Sequence, residues 1–141
     1  MIKALRQQHG FTLLELLAVL VVVSIVVVLI VPTITSGPER ARDQQRKKDL
    51  LTIKSALETY YSSNNTYPGA TTWTTDLTKG PTPYLSQIPT DPKTHTNYTY
   101  SPIPTGCTTG SCTSYTLSAK LENPKDAQAG QNGVYEVMSA Y

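Results

Sequence analysis

The residue best placed to do chemistry in this sequence is Glu15, a carboxylate at the start of a long apolar segment. From Leu16 to Val31 the chain consists of leucine, isoleucine, valine and alanine, with Ser24 as its only polar side chain. An apolar segment of this length predicts a membrane-spanning helix. A carboxylate costs about 2.5–3.5 kcal/mol at the centre of a bilayer and less near its edge. We therefore expect a positive group to compensate for Glu15.

The positive group that the sequence suggests is a new amine on Phe11. The first ten residues are polar and basic and end in Gly10. An ordinary secretory signal is cut after its apolar core, whereas the only processing site here, Gly10–Phe11, precedes it. Cleavage would place an amine one helical turn from Glu15, in the same subunit or a neighbouring one. The alternative is that Glu15 lies among the lipid headgroups, favoured by the helix N-terminus.

The string His9-Gly10-Phe11-Thr12-Leu13-Leu14-Glu15-Leu16 resembles the class III signal of type IV pilins and pseudopilins. The resemblance implies that a membrane peptidase cuts after Gly10 and N-methylates Phe11, and that Phe11 and Glu15 then serve subunit assembly. Pro32 falls where many members carry a helix-weakening proline. Weaker similarities, in residues 60–69 and 88–100, extend the resemblance to about residue 100.

The sequence divides into four parts that together allow one small domain. Residues 1–10 form the leader, 11–31 the transmembrane or filament-core helix, 32–62 its amphipathic continuation, and 63–141 a region of loops and sheet that makes one domain with 39–62. Pro32, Gly37 and Pro38 are expected to weaken the helix, although Pro38 is equally suited to restarting it.

The second half of the helix is amphipathic, since Leu50, Ile53 and Leu57 recur at helical spacing with charged residues on the other faces. Residues 69–96 lack a clear period and predict a loop with a short helical turn near Trp73–Leu77. Alternating patterns then predict three strands: Tyr98–Ser101, Ser114–Leu121 and Val134–Met138.

The fold class is therefore α+β. A long N-terminal helix, transmembrane in its first half and amphipathic in its second, packs on a small antiparallel sheet of three to four strands. This arrangement is the pilin fold that the resemblance implies.

Charge indicates little about partners. The sequence has 12 lysines and arginines against 10 acidic residues, and removing Lys3 and Arg6 with the leader leaves ten of each. A neutral chain does not favour nucleic-acid binding. We interpret the basic cluster of residues 40–48 as a solvated helix face, with DNA or anionic lipid as the weaker alternatives. Taken alone, that cluster favours a globular domain on the cytoplasmic side of the membrane. The leader and the cysteines favour a domain on the outer side, and we adopt that orientation.

Cys107 and Cys112 are the only cysteines. In a domain placed outside the membrane, a disulfide that closes a tight loop is the leading interpretation, and it would stabilise the fold by about 2 kcal/mol. Metal binding is the rival. It needs further ligands, and His95 is the only histidine left after processing.

Other chemistry is sparse, and the sequence predicts neither an enzyme nor a cofactor. It contains no Ser/His/Asp arrangement, P-loop or dinucleotide-binding glycine string. The acidic residues Asp91, Glu122, Asp126 and Glu136 are scattered. Residues 126–132 could lie near a calcium site, as in some major pseudopilins, but we match none of that family's ligands to this sequence residue by residue and assign no metal site. Two glycosylation sequons, at Asn64 and Asn97, are weak signals.

We interpret the chain as a structural subunit of a type IV pilus-like filament. Its precursor would cross the cytoplasmic membrane once, with the globular part outside. An inner-membrane prepilin peptidase would process it, and assembly machinery would join it to copies of itself in an extracellular or cell-envelope filament. The alternatives are a pseudopilin of a type II secretion system and a competence or DNA-uptake pilin. The cysteine loop favours a pilin, and the motifs Tyr67-Pro68 and Asp91-Pro92 favour a pseudopilin.

Overall fold

A computed structural model describes residues 11–141, apart from the side chains of residues 28–36. The leader, residues 1–10, lies outside the described residues, and so does Gly10 of the predicted cleavage site. The elements in chain order are helix α1 (Leu13–Asn64), helix α2 (Trp73–Thr78), strand β1 (Thr99–Ile103), strand β2 (Ser114–Lys120), a short 3-10 turn (Gln131–Gly133) and strand β3 (Val134–Met138).

Helix α1 continues through Pro32, Gly37 and Pro38. A proline inside a helix removes one backbone hydrogen bond, so the weakening of α1 at these positions stays a prediction. The backbone contacts divide the chain into two compact units at Pro38, and Glu39–Tyr141 forms the second unit.

The second unit has the α+β fold that the sequence predicts. Its three strands form an antiparallel sheet in the order β1-β2-β3. Tyr100 of β1 pairs with Leu117 of β2, which pairs in turn with Val137 of β3, and all three side chains are buried. The predicted helical stripe completes the core, with Leu50, Ile53 and Leu57 fully buried.

Strand β1 differs from its predicted bounds. The predicted strand, Tyr98–Ser101, stops before Pro102, and proline cannot donate a hydrogen bond to a sheet. The strand nevertheless continues through Pro102 to Ile103. This is possible because β1 lies at the edge of the sheet, where one side of the backbone needs no partner.

A half-buried carboxylate, that of Glu58, connects aromatic core residues to the helix. Glu58 of α1 accepts hydrogen bonds of 2.8 Å from the hydroxyls of both Tyr67 and Tyr115. It also accepts the Ala140 N–H at 3.1 Å. Burial, followed by the bond to Glu58, raises the pKa of both tyrosines well above its ordinary value. These contacts fix the chain after α1, strand β2 and the segment after β3 to one point on the helix.

Candidate functional site

The segment that begins the described chain forms a helix cap. Thr12 lies directly before α1, and its Oγ1 accepts the Glu15 N–H at 3.2 Å. Its carbonyl oxygen accepts the Leu16 N–H at 3.1 Å. The sequence Thr-x-x-Glu is the pattern of a capping box. This role is not among the predictions made from the sequence, although the pattern is visible there.

The cap changes the geometry expected for Phe11 and Glu15. Glu15 is exposed at the third helical position, where unpaired backbone N–H groups favour a carboxylate. Phe11 lies before the cap and is 78% exposed. Glu15 is therefore helical and Phe11 is not. A contact between them would connect the first turn of α1 to the residue just before the cap. Their role in assembly stays a proposal.

The first part of α1 presents an unusually apolar surface. Its large side chains from Leu13 to Val27 are exposed, and Leu13 itself is 82% exposed. Ser24 donates its hydroxyl to the Leu20 carbonyl oxygen at 2.7 Å, which satisfies the only polar side chain after Glu15 in this part of the helix. Apolar surface of this extent requires lipid or another apolar surface to cover it.

Among the described residues, no helix reaches the length and mean hydropathy that a membrane span requires.

A buried network of ion pairs surrounds Arg46, whose side chain is 3% exposed. Its guanidinium group contacts Asp91 at 2.6 Å, Asp43 at 2.7 Å and Glu122 at 2.9 Å. Arg42 adds two hydrogen bonds of 2.7 Å to Glu122. The Arg46 guanidinium lowers the pKa of Asp91 well below its usual range, and that of Arg42 does the same for the pKa of Glu122. The network therefore stays ionised at neutral pH and joins α1 to two later loops.

The interpretation of residues 40–48 as a solvated face is wrong for half of its charges. Asp43, Arg46, Lys47 and Asp49 are all buried. Each of them has a partner 45 to 80 residues later in the chain. The partner of Asp49 is Tyr98, whose hydroxyl donates to it at 2.7 Å.

A helical signal for this burial was present in the sequence. Positions 43, 46, 47 and 50 follow the spacing of the apolar stripe and continue it toward the N-terminus. With Arg46 and Lys47 turned inward, Arg40 and Lys48 are the exposed cations of the cluster. Two separated charges make a poor surface for DNA.

Cys107 and Cys112 form a disulfide. The Cys112 carbonyl oxygen accepts the Tyr67 N–H at 2.9 Å, and Thr109 inside the loop accepts the Gly69 N–H at 3.1 Å. A Cβ atom on Gly69 would lie 3.1 Å from the Thr109 nitrogen, so the two segments approach closely because Gly69 has no side chain. The disulfide loop is thus docked on the chain that follows α1, and its sulfurs are not available as metal ligands.

The remaining candidate residues do not assemble into a reactive centre. His95 is exposed in its loop. A cleft of about 570 Å³ includes Asp91 and Glu122 in its lining, but both carboxylates are held by the arginines of the network. Of the two sequon asparagines, Asn64 donates to the Tyr60 carbonyl oxygen and the Tyr84 hydroxyl, and Asn97 is exposed.

Comparison with known proteins gives two kinds of similarity. The family model "Prokaryotic N-terminal methylation motif" matches residues 5–31. The chain is also similar to the type II secretion system core protein G of Pseudomonas aeruginosa, with 36% identity over 98 residues that cover 62% of this chain and 69% of that protein.

Other core proteins G give the same result. The protein from Aeromonas hydrophila is 34% identical over 62% of this chain and 68% of its own length. The protein from Escherichia coli is 30% identical over 64% of this chain and 70% of its own length. No solved structure matches the chain.

Proposed function

Because this chain belongs to the type IV pilin and pseudopilin family, we propose that it is a pseudopilin of a type II secretion system. The observation that carries the proposal is the extent of the similarity. A methylation motif of residues 5–31 is common to pilins and pseudopilins, whereas the similarity to core protein G spans 98 residues. It thus extends well beyond the motif, and it supports a secretion pseudopilin over the surface pilus subunit that the sequence first suggested.

The proposed maturation begins with removal of residues 1–10 by a prepilin peptidase of the inner membrane, which then methylates Phe11. Subunits would polymerise through the apolar part of α1, whose exposed side chains require another apolar surface. The Phe11 amine and Glu15 would set the register between subunits. A buried ion pair suits this role because it contributes more to specificity than to stability.

We place the precursor in the cytoplasmic membrane through residues 11–31, with the globular unit on the outer side. The Cys107–Cys112 disulfide supports this orientation, because such bonds persist mainly in oxidising compartments outside the cytosol. Assembly would then move the subunit into an envelope filament, together with the other components of the secretion system.

Deletion of this gene in its native host tests the function. We expect the deletion to reduce the type II substrates in the culture medium while surface fibres remain visible by electron microscopy, and we expect the wild-type gene to restore secretion. The reverse result, with normal secretion and lost surface fibres, would identify a pilus subunit. Lost transformation with both secretion and fibres intact would identify a DNA-uptake pilin.

A further inference from the structure

Besides the two arginines that bind Glu122, two further side chains of helix α1 fasten the connection between β2 and β3, residues 121–133. Asp43 accepts the backbone N–H groups of Glu122 and Asn123, each at 2.9 Å. One helical turn later, Lys47 donates to Asp126 at 2.6 Å. The helix thus contributes one carboxylate and one ammonium group to the same connection.

Lys47 has the surroundings of a structural cation. The residue is 6% exposed, and its ammonium group lies 5.7 Å from the centroid of the Tyr135 ring on β3. The Asp126 oxygen that it contacts also accepts the Gln128 N–H at 2.9 Å. One ammonium group therefore orders a carboxylate that in turn orders the backbone of the turn.

Some pseudopilins hold calcium in this region, so the residues present can be tested against that ion. Calcium binds six to eight oxygen ligands, several of them carboxylates. The carboxylates of the connection are Glu122 and Asp126, and the side chains of Arg42, Arg46 and Lys47 already occupy them. Within residues that the structure describes, no three acidic, histidine or cysteine side chains come close enough to hold a metal. The residues do not fit calcium.

The hollow beside the connection does not fit calcium either. It is lined by two glutamines, a glycine, a valine and one carboxylate: Gln128, Gly130, Gln131, Val134 and Glu136. A single exposed carboxylate is a weak ligand set for a divalent cation, which needs several charged oxygens to offset its dehydration.

We propose that the buried ammonium group of Lys47 takes the place of a bound divalent cation, so that the β2–β3 connection is closed by the chain itself and needs no calcium. A calcium ion at Asp126 would leave the Lys47 ammonium buried without its counter-charge, which is unfavourable in a low-dielectric environment. The proposal rests only on contacts inside the unit Glu39–Tyr141, so its test is independent of the proposed function.

Thermal unfolding of the full-length chain in mild detergent tests this proposal, with fluorescence of the buried Trp73 as the signal. We expect the midpoint of the wild-type protein to be the same in excess EDTA and in millimolar calcium chloride. A lower midpoint in EDTA, or a higher one in calcium, would overturn the proposal. This arm uses the wild-type protein and does not depend on any variant folding.

A second arm tests the role of Lys47 itself. Lys47→Met is expected to lower the midpoint by about 5 °C or more and to increase hydrogen exchange in residues 121–130. Lys48→Met removes the exposed neighbouring ammonium and is the matched control, for which we expect no change. Equal behaviour of the two variants in both measurements would contradict the structural role of Lys47.

Discussion

Replacing Arg46 with methionine is expected to lower the free energy of unfolding by about 3–5 kcal/mol, because the substitution leaves buried carboxylates without their shared cation. Glu122 keeps two other partners, Arg42 and Lys93. Asp43 and Asp91 therefore bear most of the loss. A small domain has a total stability of about 5–15 kcal/mol, so the effect is a large share of it.

Urea unfolding of the full-length chain in mild detergent, followed by Trp73 fluorescence, measures this difference. Arg40→Met is the matched control, because Arg40 is an exposed arginine of the same helix. We expect that control to change the stability by less than about 0.5 kcal/mol. An Arg46→Met protein as stable as the control would mean that the network contributes nothing net.

The pH dependence provides a separate check on the same network. Arg46 lowers the pKa of Asp91, so ionised Asp91 stabilises the fold above its unfolded pKa of about 3.9. That contribution is lost as the pH falls through the folded pKa. We expect the wild-type unfolding free energy to decrease below about pH 5, and the decrease to be smaller in Arg46→Met.

Replacing Glu15 with alanine is expected to leave a processed, membrane-inserted monomer and to weaken each contact between subunits by about 1.4 kcal/mol, about tenfold in affinity, so that filament yield falls. The physical reason is the loss of the carboxylate that pairs with the Phe11 amine of the same or a neighbouring subunit. Sedimentation of sheared filaments and electron microscopy measure the yield.

Two further variants separate the charge of Glu15 from its place in the helix cap. Glu15→Gln keeps the size of the side chain and its capping position but removes the charge, so we expect the same defect as for alanine. Glu136→Ala removes an exposed carboxylate of β3 and should assemble normally. Normal filaments from Glu15→Gln would reduce Glu15 to a capping residue.

The apolar framework of the fold could be predicted from the sequence because its period is local. Leu50, Ile53 and Leu57 recur at helical spacing, and all three are fully buried. Strand β2 has the two-residue period of a strand, with Tyr115 and Leu117 buried in the core. In such patterns, each residue's neighbours along the chain predict which face it occupies.

The ion-pair network could not be predicted in the same way because its partners are distant in sequence. Arg46 looks like any helix-surface arginine until Asp91 and Glu122 are brought to it by the fold. The position of Arg46 on the apolar stripe was a usable hint, but the identity of its partners was not encoded locally. Sequence reasoning assigned the charge to solvent because most charged helix residues lie there.

The start of α1 lies between these cases. The apolar run and Glu15 predicted a helix that begins with a carboxylate in need of a positive partner. The Thr12 cap could also have been predicted, from the spacing Thr-x-x-Glu. The cap pairs the backbone N–H of Glu15 with Thr12 before any assembly takes place, and leaves its carboxylate exposed. An assembly role therefore depends on the charge of the processed N-terminus, which only cleavage creates.

Mass spectrometry of the mature N-terminus, on protein purified from its native host, tests directly whether cleavage creates the Phe11 amine. We expect a chain that begins at N-methylated Phe11, without residues 1–10. An intact Met1 on protein from a host with a competent peptidase would contradict it, because the Phe11 amine would then not exist to pair with Glu15.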